Sequence, residues 1–153
     1  MPTIVVIVSI VVAVAAVTGL IYVLVKNTTG PGQTLRAYYE AVAAGDCGKA
    51  YGYLSIPLHG AIPQDRYCAA VAGARGRAPT SITIQSVTGC GEPPARFARV
   101  TIVEHGSDAS AQPVVWHLVR QSDEWAVASF PKLRRIVSSN PPPNHPRVPA
   151  ACR

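Results

Sequence analysis

The stretch LRAYYEAVAAGDCGKAYGYL, residues 35–54, decides how this chain folds. Leu35, Tyr38, Tyr39 and Val42 recur at three- and four-residue spacing, which puts them on one face of a helix. Gly45 supplies a C-terminal stop, and Asp46 stands where an N-cap is needed for a second, shorter helix. That helix carries Cys47, Ala50, Tyr51 and Leu54 on one face, and Pro57 is expected to break it.

Downstream, Pro63 opens a third helix with Tyr67, Cys68 and Val71 as its apolar stripe and Gly73 and Gly76 near its end. From Thr80 the apolar period changes to two. Ile82 and Ile84 alternate with polar residues, as do Val100 and Ile102. Val114 to Val119 is apolar at nearly every position, the pattern of a strand covered on both faces. Gln121, Ser122 and Asp123 then turn the chain into a last strand from Trp125 to Phe130. Three helices followed by a four-stranded antiparallel meander define an α+β domain, with the helices packed on one face of the sheet.

Upstream of the quoted stretch, residues 27–33 read as a linker, and Ile4 to Val25 contain no charged side chain. At about 1.5 Å per residue these 22 positions reach roughly 33 Å, enough to cross a hydrocarbon core of about 30 Å as a helix. Tyr22 and Lys26 mark an interface. A cleaved signal peptide is the competing reading, but the start lacks Lys and Arg, and the apolar run continues well past Ala16. The expectation is a transmembrane anchor over residues 1–26. Lys26 and Arg36 alone would place the domain inside. Four cysteines without a C-x-x-C favour the oxidising side, so the N-terminus is placed in the cytoplasm and the domain outside it.

The net charge of +6 does not describe the domain. Lys132, Arg134, Arg135, Arg147 and Arg153 supply five of the 14 basic residues with no acid among them. The chain before Lys132 is nearly neutral. Nucleic-acid binding needs a basic stripe on an ordered surface, and none is legible here. Residues 132–153 carry five prolines beyond Asn140 and read as a basic, Pro-rich, disordered tail.

Together the anchor, the run Leu35 to Leu54, a short third helix with Cys68 and a closing Asp123-Glu-Trp125-Ala-Val127 hairpin resemble the NTF2-like (cystatin-like) superfamily. More narrowly they resemble the anchored, secreted actinobacterial domains grouped as domain-of-unknown-function 4878, or lumazine-binding-like. The resemblance spans roughly residues 32–131, with the domain itself at 34–131, and implies a cone, with three helices on a curved four-stranded sheet. It implies that Tyr38, Tyr39, Tyr51, Trp116, Trp125 and Phe130 line the cone, mostly as core, with His117 as a candidate general base. Four cysteines allow three pairings. Neighbouring short helices can bring Cys47 and Cys68 to a disulfide's Cα spacing of about 4.4–6.8 Å, and the resemblance supports that pair. Cys90 and Cys152 would form the second, pinning the tail across the sheet.

Superfamily enzymes place a carboxylate or a His–Asp pair against a Tyr inside the cone. Here Glu40, Asp46 and Asp65 fall near helix ends or polar faces, and Glu104, Asp108, Asp123 and Glu124 near strand ends and turns. No acid falls within an apolar strand interior, so no catalytic residue, metal or cofactor is expected. The expected function is a membrane-anchored, extracytoplasmic interaction or ligand-binding module of the cell envelope. Its expected partners are the bilayer through residues 4–25 and an envelope protein or small apolar ligand, not nucleic acid. One alternative is an isomerase- or hydratase-type enzyme using His117 and a tyrosine. Another is an accessory subunit whose Ala13, Ala16 and Gly19 pack in a membrane complex.

Overall fold

The computed structural model describes residues 30–74, 78–91, 96–106, 112–129 and 148–152. The expected anchor, Phe130 and the segment 130–147 lie outside them. Among the described residues, no helix is long and apolar enough to cross a membrane.

Helix α1 runs Pro31–Ala44, α2 Cys47–Gly52, α3 Ile56–Ala61 and α4 Gln64–Gly73. Four helices therefore precede the sheet, where three were expected. Pro57 is the cause: it sits at the first turn of α3, where its missing N–H costs no hydrogen bond. Pro31 likewise opens α1, so Pro31, Gly32 and Gln33 of the expected linker are helical. Glycine fits at position 32 because a Cβ there would lie 2.9 Å from Ile84 Cδ1, where α1 crosses the first strand. Gly45 ends α1 at φ 74°, with its N–H bonded to the Val42 carbonyl and that of Asp46 to Ala41. Asp46 then caps α2 by accepting from the Lys49 N–H at 3.0 Å.

Strands β1 (Ser81–Cys90), β2 (Phe97–His105), β3 (Val114–Gln121) and β4 (Glu124–Ser129) form one antiparallel sheet in chain order. Ser122 and Asp123 both take positive φ, the conformation that matches a tight hairpin to the strand twist. Ile84 pairs with Ile102, Val100 with Trp116 and Leu118 with Val127, so one sheet face is apolar across its middle. Leu35, Tyr38, Ala50, Leu54, Leu58, Ile62 and Tyr67 from the helices close over it.

The two borders of the sheet differ. At β4, Leu54 forms a parallel bridge to Val127: the Ser55 N–H donates to the Val127 carbonyl at 2.9 Å and the Val127 N–H to Tyr53 at 2.8 Å. At β1, residues Gln85 to Gly89 are exposed.

Both disulfides are present, Cys47–Cys68 with Cα atoms 5.2 Å apart and Cys90–Cys152 at 5.5 Å. The last part of the expected tail is ordered: Ala150–Cys152 forms a 3-10 turn and Cys152 is buried. His117 meets this turn. Its Nε2 donates to the Cys152 carbonyl at 2.9 Å, which leaves Nδ1 to accept from the Ser129 hydroxyl at 3.0 Å. One imidazole thereby joins the end of β4 to the returning chain.

Candidate functional site

Tyr38 and Tyr39 are successive residues of α1, so their side chains diverge by about 100° around the helix. Both still reach Trp116 on β3, with ring centroids at 5.5 Å in each case and 5.7 Å between the two tyrosines. Edge-on and tilted geometries suit the ring quadrupoles. From this trio the hydroxyls part company. That of Tyr38 accepts from Tyr67 at 3.0 Å, deep among the helices. That of Tyr39 donates to Glu104 Oε1 in a short hydrogen bond.

Glu104 was expected near a strand end, away from the cone. It is next to last in β2, but it shares the inward phase of Val100 and Ile102. Exposure rises along that row: Val100 and Ile102 are fully buried, whereas Glu104, its β1 partner Ile82 and neighbouring Val114 are half-buried. This is the margin of the helix-covered face. Among the described residues the ion pair is Arg120 with Asp123, on the surface.

Burial pushes the phenols of Tyr38, Tyr39 and Tyr67 above the usual tyrosine range. For Tyr39 the hydrogen bond and negative charge of Glu104 add to burial, and the Trp116 N–H opposes them. Above pH about 10 the unfolded chain releases phenolic protons that the fold retains, so the folded state binds more protons and stability falls as pH rises. Ionisation of these three phenols is therefore expected to come together with loss of helical circular dichroism above that pH. Full tyrosine titration with the helix signal intact is the contrary result.

The other residues singled out from sequence are dispersed. Tyr51 lies against Tyr67 at 5.5 Å and stacks on His59 at 4.4 Å, and its hydroxyl donates to the Ile62 carbonyl at 2.7 Å. It pins α3. Trp125 packs at the margin of the core. His117 is carried to the opposite sheet face by the two-residue period that turns Trp116 inward, so it cannot act on anything held by Tyr38 or Tyr39. No group of three or more potential metal ligands gathers among the described residues.

No family model and no curated protein matches this sequence. A crystal structure of an NTF2-like transpeptidase, so named, from Campylobacter jejuni superposes with a TM-score of 0.50 at 15% identity, covering 65% of this chain and 97% of that one. The likeness is one of fold.

Proposed function

We propose that this NTF2-like fold serves as a membrane-anchored, extracytoplasmic ligand-binding or interaction module of the cell envelope, akin to the domain-of-unknown-function 4878 group. The observation that carries the reading is the engagement of all four cysteines in two disulfides, which persist in oxidising compartments and are rare in the cytosol. The uncharged run Ile4 to Val25 supports a single-pass anchor with the N-terminus in the cytoplasm of a plasma membrane. The half-buried Ile82 and Val114 beside Glu104, at the margin of the core, support contact with a ligand or partner of apolar character.

A second reading draws on the same pair. A carboxylate against a phenol inside the cone is the arrangement an isomerase- or hydratase-type enzyme would use, with Glu104 and Tyr39 in place of His117. The transpeptidase name of the Campylobacter jejuni protein belongs to that protein.

A reporter active only outside the cytoplasm, fused after Arg153, is expected to be active, and intact mass before and after reduction is expected to count two disulfides. A silent external reporter beside an active cytoplasmic one, or four free thiols in protein taken from membranes, would overturn the assignment.

A further inference from the structure

We infer that β1 is a self-association surface, along which two copies of this domain pair antiparallel about Val87. Gln85 to Gly89 are exposed at every position, whereas β4 at the other border is bridged by Leu54. Natural proteins guard such a border with charged residues, prolines or bulges. From Ser81 to Cys90 there is no charged residue and no proline. The register shift of β1 falls at Gln85, and from Ser86 to Cys90 the strand pairs regularly with β2. What remains is a regular, uncharged and exposed run.

Symmetry and charge point to a second copy as the occupant. With a two-fold axis at Val87, an antiparallel pair sets Gln85 opposite Gly89, Ser86 opposite Thr88 and Val87 opposite its own counterpart. Val87 is 47% exposed although it shares the helix-covered face with its partner Val100, so the pairing covers an apolar side chain that the fold leaves out. Ser86 and Thr88 lie on the other face and meet as hydroxyl pairs. No like charges meet in this register. So short a run buries less than the roughly 1,200 Å² of a stable complex, so the copies must be held at high local concentration. A shared membrane supplies it, and only this step rests on the anchored reading. A Cβ on Gly32 would lie 3.6 Å from Val87 Cγ2, so the chain enters each domain beside the axis, which suits two molecules in one bilayer.

The test uses the full chain in liposomes, with Val87→Cys as a crosslinking probe and Thr83→Cys, also exposed on β1, as its control. Oxidation with copper phenanthroline followed by a non-reducing gel reads the intermolecular disulfide. At the axis the two new thiols stand opposite each other, whereas position 83 and its counterpart lie about 26 Å apart along the strands. Val87→Cys is therefore expected to give at least about tenfold more linked dimer than Thr83→Cys. Adding Ser86→Lys with Thr88→Lys sets like charges opposite one another and should cut that yield several-fold; Ser86→Lys with Thr88→Glu should restore it. If the double-lysine variant does not fold, the comparison of positions 87 and 83 stands alone. Equal yields at the two positions, or a Val87→Cys yield indifferent to the sign of the charges, overturn pairing through β1. Absence of linked dimer in liposomes overturns it too and leaves the strand to an extended segment of another protein. Recovery of the chain in the aqueous phase instead of the liposomes refutes the anchor alone, and the same variants then decide the pairing in solution.

Discussion

Changing Cys90 and Cys152 together to serine is expected to lower the unfolding free energy by about 4 kcal/mol. The bond joins residues 62 apart in sequence, and constraining so long a loop removes a large share of the unfolded chain's freedom. The bond Cys47–Cys68, with a separation of 21, is worth about 3 kcal/mol on the same reasoning. Against a total of about 5–15 kcal/mol for an ordinary domain, losing the longer link brings the fold close to its threshold. The His117 hydrogen bond and the turn's packing against β2 then hold it, and a single net hydrogen bond contributes only about 1 kcal/mol. Urea unfolding followed by circular dichroism, under non-reducing conditions for both proteins, measures the difference. A loss below about 1 kcal/mol would mean that the turn is not docked on the sheet in solution.

Trp116→Ala should cost a comparable amount, about 3–5 kcal/mol. Trp116 is 5% exposed and is the one ring that both Tyr38 and Tyr39 touch, so its removal opens a cavity at the centre of the core. The change also removes the ring against which Tyr39, the donor to Glu104, packs. Val87→Ala is the matched control: Val87 is 47% exposed and should move stability by no more than about 0.5 kcal/mol. Thermal unfolding read by circular dichroism separates the two variants. Equal melting temperatures would show that the aromatic trio does not form the core.

Much of this architecture is legible in the residues because the physics is local. The helical spacing of Leu35, Tyr38 and Tyr39, the stop at Gly45 and the cap at Asp46 depend on neighbours a few positions away, and each lies where local reasoning puts it. Pro57 and Pro31 are harder to read because one residue type both ends helices and begins them. Which role applies depends on whether an N–H is needed at that point, and Leu58 packing into the core settles it for Pro57.

The site was less legible, and for two distinct reasons. Glu104 lies in phase with Val100 and Ile102, so the period of two already pointed it inward; its nearness to the strand end obscured that. The same period separates His117 from Trp116, neighbours that a flat reading of the sequence groups together. Tyr51 depends on α3, a helix not expected from sequence, and so its partners His59 and Ile62 could not be anticipated. Residues 132–153 read as unfolded from their prolines, yet Cys152 among them is covalently held to β1. Composition describes a segment's average tendency, and a single crosslink overrides it.

The sealed border at β4 limits what copies of this domain can do to one another. Open sheet edges are the routes by which strands from separate chains stack into fibres. Here the parallel bridge from Leu54 to Val127 already occupies the middle of one route, and among the described residues no such bridge lies along β1. Strand addition between molecules is therefore favoured through β1, where two copies meeting edge to edge would consume each other's better rim and leave a growing filament the poorer one.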